Sequence, residues 1–165
     1  MGVIAILQAR MSSSRLPGKV LMDIEGMPMI GRQIERIQEA KLLDEIVVAT
    51  STDSSDDTLV EYVESIGVNV QRGSLADVLE RFVDVLDVSE SQTVVRLTAD
   101  CPLADSEVID GVIEFFLKSN IDYASNSLER TFPRGLDVEV FRANVLREVA
   151  QNDFSPMSRE HVTYG

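Results

Sequence analysis

The side chains best placed to do chemistry lie in Gln8-Ala9-Arg10-Met11-Ser12-Ser13-Ser14-Arg15-Leu16-Pro17-Gly18-Lys19. Arg10, Arg15 and Lys19 are three of only 15 Lys and Arg residues in a 165-residue chain whose formal net charge is −13. Scarce cations gathered beside the hydroxyls of Ser13 and Ser14 suit a polyanion. Guanidinium groups grip phosphate oxygens bidentately, an ammonium acts as a point charge, and backbone N–H groups fill in. The stretch reads as a triphosphate-binding loop, against the plainer alternative of a solvated basic turn. It is not a Walker A loop, because Ser13 and Val20 stand where that pattern needs a Gly and a Ser or Thr. No G-x-G-x-x-G dinucleotide fingerprint follows the preceding strand either.

A loop of this kind must be presented by something rigid. Val3-Ile4-Ala5-Ile6-Leu7 directly precedes it, a short β-branched-rich run that reads as a buried parallel strand. Open α/β sheets bind ligands at the carboxyl ends of such strands. Further strands are expected at Glu45–Thr50, Val68–Val70 and Thr93–Leu97, each followed by a polar loop and an apolar-periodic helix. The helices carry Ile30, Ile34 and Ile37 after Pro28; Leu59, Val60 and Val63 up to Gly67; Val78, Leu79, Phe82, Val83 and Leu86; and Val108, Ile109, Val112, Ile113 and Phe116 after a cap at Asp105 or Ser106. Repeated strand-loop-helix units imply a mostly parallel sheet covered on both faces. The loops at Arg10–Lys19, Thr50–Asp53, Arg72–Ser74 and Thr98–Asp100 should then converge on one edge. Beyond Asn120 the winding changes, with strands expected at Ile121–Ala124 and Leu136–Phe141, a helix over about Ala143–Val149, and a polar tail.

Two acidic features stand out. Asp100 ends a buried strand, where a carboxylate is costly unless it is paired, capping a turn or holding a metal. In Leu136–Phe141 the two-residue period puts Asp137 and Glu139 on one face, either the solvent face of an amphipathic strand or part of a hard-cation site.

Composition narrows the rest. The length fits one domain over residues 1–165. The single cysteine, Cys101, excludes an internal disulfide, and the single histidine, His161, argues against a Cys/His zinc cluster. Cys101 has acidic and apolar neighbours and reads as a packed residue rather than a nucleophile. Excess acid argues against a nucleic-acid partner. No window approaches a membrane span and no signal sequence precedes the first strand, so a cytoplasmic location with no membrane partner is expected.

The motif Q-A-R-x-x-S-x-R-L-P-G-K resembles the first motif of the cytidylyltransferases that activate sugar acids, in particular the spore-coat polysaccharide branch. Arg72-Gly73-Ser74, Thr98-Ala99-Asp100-Cys101-Pro102, the run from Thr131 through Phe141, and Arg159-Glu160-His161-Val162-Thr163 resemble that branch in the same order. The resemblance implies a three-layer α/β/α sandwich of the nucleotide-diphospho-sugar transferase type. It also implies a reaction of CTP with a sugar acid that releases pyrophosphate, assisted by Mg²⁺. Arg10, Lys19 and Asp100 take catalytic roles by this resemblance. Ala9, Arg10, Ser13, Ser14, Arg15, Lys19, Arg72, Ser74, Thr98 and Asp100 bind the nucleotide, with Arg72 and Ser74 at the base, and Asp100, Asp137 and Glu139 hold the metal. His161 falls where a sugar-acid or structural contact is conceivable. A homodimer pairing through residues 122–141 is implied as well, as is a C-terminus that stops sooner than is usual for the family. Two rivals stay open: a sugar-1-phosphate nucleotidyltransferase, disfavoured by Ala9 and Ser13 where its loop is glycine-rich, and a noncatalytic nucleotide-binding protein.

Overall fold

The computed structural model describes residues 2–13 and 15–164. The expected nucleotide-binding residue Ser14 lies outside the described residues. β1 (Val3–Gln8) is the apolar run expected, and its residues 3–7 are buried on both faces. After the basic loop, β2 (Asp23–Ile24) and β3 (Met27–Pro28) form a small antiparallel hairpin. Pro28 is the residue before the first turn of α1 (Met29–Gln38), where its missing N–H costs nothing. Then follow β4 (Glu45–Ser51), α2 (Asp57–Ser65), β5 (Asn69–Gly73), α3 (Val78–Asp87), β6 (Thr93–Thr98), α4 (Ser106–Lys118), β7 (Tyr123–Ser125), β8 (Glu139–Arg142), α5 (Ala143–Asn152) and α6 (Pro156–His161).

Six strands form one sheet in the order β5-β4-β1-β6-β8-β7, parallel from β5 to β6 and antiparallel from β6 through β8 to β7. Alternation along β1 divides the core. Ala5 and Leu7 pack with Ile30, Ile34 and Ile37 of α1, Leu59 and Val63 of α2, and Ile109 and Ile113 of α4. Ile4 and Ile6 pack with Leu79, Phe82 and Val85 of α3 and Leu146 of α5. Helices therefore cover both faces, giving the three-layer α/β/α arrangement expected from the winding.

Side-chain caps fix where the helices begin. Asp77 accepts from the Glu80 N–H before α3, Asp105 from the Glu107 and Val108 N–H groups before α4, and Ser155 from the Ser158 N–H before α6. Three expectations need correction. The polar tail contains α6, announced by its Ser-Pro start. β5 runs through Arg72 to Gly73 rather than ending at Val70. The last two strands are shorter and later than their hydrophobic runs: the Asn126 amide donates to the Leu136 carbonyl at 2.7 Å and accepts from the Val138 N–H at 2.9 Å, so residues 136–138 are satisfied by a side chain. Asp137 thus precedes β8, and it does not share a strand face with Glu139.

Phe82 is fully buried between α3 and the sheet. Phe82→Ala should lower unfolding free energy by about 3–5 kcal/mol, read as a shifted urea midpoint at unchanged slope.

Candidate active site

The parallel register aligns the strand exits. Gln8 stands opposite Thr98, and Ser51 opposite Gly73. The Ala9 N–H continues the pairing to the Ala49 carbonyl at 3.1 Å, and the Ala99 N–H to the Gln8 carbonyl at 2.9 Å. Between the exits of β1 and β6 lies a cleft of about 310 Å³, walled by Ala9, Arg10, Ser13, Arg15, Lys19, Thr98 and Asp100 together with Gln8, Val78, Arg96, Glu160 and His161.

The loop from Arg10 to Lys19 is folded on itself. The Met11 carbonyl accepts from the N–H groups of Ser13 (2.9 Å) and Gly18 (2.8 Å). Gly18 sits at φ 73°, left-handed backbone that a side chain would strain, and leads into a 3-10 turn over Lys19–Leu21. The loop is anchored from outside by Asp56, whose fully buried carboxylate accepts from the Met11 N–H at 2.7 Å. Thr50 Oγ1 (2.9 Å), the Ser51 N–H (3.0 Å) and Ser51 Oγ donate to its other oxygen. Burial pushes the Asp56 pKa up, but the donors from Met11, Ser51 and Thr50 outweigh it and hold the carboxyl below its ordinary value.

Across the cleft, Thr98 Oγ1 donates to Asp100 at 2.8 Å and Lys19 Nζ lies 3.3 Å from its other oxygen. Burial raises the Asp100 pKa, and Thr98 and Lys19 more than reverse this, leaving an ionised carboxylate. The Gln33 amide donates to the Thr98 carbonyl at 2.9 Å and steadies this exit. Cys101 is pushed up to about 11 by burial and by the Asp100 charge, so its thiol stays protonated, in keeping with a packed residue. Arg10 and Arg15 enter no ion pair among the described residues, so both are free to meet an anion.

Four expected site residues stand apart from this cleft. Arg72 braces the loop after β4: it donates to the carbonyls of Ser51 (2.8 Å) and Asp53 (3.0 Å) and pairs with Asp57 at 2.8 Å. Ser74 Oγ accepts from the Asp77 N–H. Asp137 is held bidentately by Arg130 at 2.8 and 2.9 Å. Glu139 pairs with Arg96 and accepts from Tyr123 Oη (2.8 Å) and Thr163 Oγ1 (2.7 Å), which occupies the lone pairs a metal would need. Burial, then the Glu139 charge, pushes the Tyr123 phenol up to about 12. No group of three His, Cys, Asp or Glu side chains suited to a metal ion occurs among the described residues. Gln8 and Glu160 fall in the quoted motifs but were given no role there, and Val78 and Arg96 were not anticipated. Arg96 carried a signal, being a charge inside an otherwise apolar strand run.

The family model for cytidylyltransferases matches residues 4–164. The chain belongs to that family. A solved cytidylyltransferase from Leptospira borgpetersenii serovar Hardjo-bovis superposes with a TM-score of 0.95 at 36% identity, covering 99% of this chain and 70% of the other. The spore coat polysaccharide biosynthesis protein SpsF of Bacillus subtilis is 34% identical over 98% of this chain and 68% of its own. An 8-amino-3,8-dideoxy-manno-octulosonate cytidylyltransferase of Shewanella piezotolerans is 32% identical over 100% of this chain and 68% of its own. This cytidylyltransferase chain thus spans about two thirds of the length of these relatives. Among the described residues no helix is long and apolar enough to cross a membrane.

The anchor of the basic loop is directly testable. Asp56→Asn loses charge-assisted bonds and should cost at least about 1.5–3 kcal/mol in chemical denaturation. Because the folded-state pKa of Asp56 lies below the unfolded value of about 3.9, its contribution is complete above that pH and lost as pH falls through the folded value. Stability of the Asn variant should accordingly decline less on acidification than that of the wild type.

Proposed function

We propose that this cytidylyltransferase chain carries the site that transfers CMP from CTP to a sugar acid with release of pyrophosphate. The observation that supports this most is the assembly of Arg10, Ser13, Arg15 and Lys19 opposite Asp100 in one cleft of an otherwise strongly acidic molecule. Arg10 and Arg15 clamp the β- and γ-phosphates. Lys19 sits where negative charge accumulates as the bond from the α-phosphorus to the bridging oxygen breaks. A sugar hydroxyl attacks the α-phosphorus in line, and its proton leaves to solvent. Positioning and electrostatic stabilisation carry the rate, as elsewhere in phosphoryl transfer. The likeness to a cytidylyltransferase named for an octulosonate supports a keto sugar acid as acceptor, and the likeness to SpsF supports a role in polysaccharide synthesis.

Asp100 is a half-exposed, ionised carboxylate with oxygen donors nearby, and this fits Mg²⁺, which binds through one or two carboxylates and the substrate's phosphates. Asp100 would hold the ion, with Asp137 as a second ligand once released from Arg130, while Glu139 keeps its place against Arg96. The ion would neutralise phosphate charge. Pairing of two copies through residues 122–141 belongs to this proposal, supported by the exposed Leu128 and Phe132 in that segment. Light scattering should give the mass of a dimer, and a monomer at every concentration would reject the pairing.

The reaction is tested by pyrophosphate release with each of the four nucleoside triphosphates, Mg²⁺, and panels of sugar acids and sugar 1-phosphates. Turnover confined to CTP with a sugar acid is expected. Turnover with a sugar 1-phosphate would point to the rival nucleotidyltransferase, and binding without turnover to a noncatalytic role. Asp100→Asn should abolish turnover and the metal-dependent part of CTP affinity while the fold is kept.

A further inference from the structure

Arg81 is the largest fully buried side chain, only 1% exposed, and its Nε and both terminal nitrogens find no hydrogen-bond partner among the described residues. A guanidinium carries five donors, and leaving all of them unmatched in the interior is expensive. Its position explains what is missing. Arg81 follows Val78 by three residues on α3, so the two share a face, and long helical side chains lean back toward the N-terminus. Val78 lines the cleft. The Arg81 stem crosses Gly73 so closely that a Cβ there would meet its Cγ at 2.6 Å. Its charge then lies near those of Arg10, Asp56 and Asp77, and both carboxylates are already engaged, Asp56 by Met11, Thr50 and Ser51 and Asp77 by the Glu80 N–H and Arg159. Burial first, and the like charge of Arg10 second, pull the Arg81 pKa down. Two guanidinium groups close together beside a cleft, one of them without any acceptor, are complementary to an acceptor brought by a ligand.

We propose that Arg81 is a nucleotide-contacting residue, donating to an acceptor oxygen of the nucleotide from behind the cleft surface formed by Arg10 and Val78. This rests on the reading of the cleft as a nucleotide site. The acceptor is either the carbonyl of the base or a phosphate oxygen, and both suit the planar fork of an arginine. Binding by this route requires the buried guanidinium to be uncovered toward the cleft, and the lack of a side chain at Gly73 leaves the space that its stem occupies.

Calorimetric titrations of wild type, Arg81→Met and Arg81→Lys with CTP, cytidine and inorganic tripolyphosphate, alongside melting of each protein without ligand, test this. Arg81→Met should bind CTP at least tenfold more weakly yet melt no lower than wild type when free, since it removes an uncompensated buried charge at similar volume. Arg81→Lys, which keeps the charge and loses the fork, should weaken CTP binding by a smaller factor and serves if the Met variant does not fold. Weakening shared by cytidine identifies the base carbonyl as the acceptor, and weakening shared by tripolyphosphate identifies a phosphate oxygen. Either result supports the proposal. If the wild type binds CTP and the variants bind it equally well, or merely melt lower, Arg81 is a structural cation and the proposal is overturned. A wild type that binds none of the three probes overturns the reading of the cleft and this assignment with it.

Discussion

The site depends on one buried carboxylate. A fully buried, ionised Asp56 is tolerable only while its oxygens are matched by donors, and those donors come from the exit of β1 and the end of β4. It therefore ties the first residues of the basic loop to the neighbouring strand. The loop needs such a tie, because Arg10, Arg15 and Lys19 repel one another and the loop has few apolar side chains to bury. Val20, just past Lys19, is inserted in the core, and Met11 packs partly against it. The Met11 N–H is fixed by Asp56 and the Met11 carbonyl by Ser13 and Gly18, so a single residue links the anchor to the closed turn. Disturbing the carboxylate would release the cations in the direction their repulsion favours.

Much of this was legible in the chain itself. Three of the four parallel strands, β1, β4 and β6, are apolar runs, the helices between the strands keep an apolar period, and the convergence of the exit loops of β1 and β6 follows from the winding alone. Arg10, Ser13, Arg15, Lys19, Thr98 and Asp100 accordingly meet in one cleft. The part that could not be read is carried by long-range polar contacts. Asp56 lies in a Ser/Asp-rich stretch that reads as helix capping, and its bond to Met11, 45 residues away, leaves no periodic trace. Asn126 ends a strand pattern that hydrophobic alternation would have continued, because its amide replaces the ladder at Leu136 and Val138. Arg81 is masked by charged neighbours Glu80 and Asp84 in a helix whose apolar face is elsewhere complete.

The late acids show how pairing alters what a carboxylate can do. In sequence Asp137 and Glu139 are alike. In the fold Glu139 sits on the antiparallel pair of β6 and β8, opposite Arg96, and gathers Tyr123 and Thr163 around one buried charge. Removing a partner from such a cluster leaves an uncompensated ion, so its members hold one another in place. That cluster also ties residues 123, 139 and 163 to β6 at Arg96, two residues before Thr98. It joins the irregular half of the chain to the regular half. Asp137 pairs, among the described residues, with the half-exposed Arg130, a pair that solvent screens and that can open at little cost.

Lys19 and Asp100 form a pair of the same looser kind, with side chains 25% and 45% exposed. Its geometry fits a site waiting for charge of both signs. A triphosphate bound in this cleft would compete with Asp100 for Lys19, and the carboxylate so released would repel the phosphates unless a cation came between them. In a molecule of net charge −13 the background field also opposes an anionic ligand. Arg10 and Arg15, which enter no ion pair among the described residues, line the cleft and would supply a local attraction able to overcome this field over short distances, within the screening length of about 8 Å at physiological ionic strength. The acidic composition and the basic loop are therefore not in conflict: the first would keep anions away from the surface generally, and the second would admit one where the strands end.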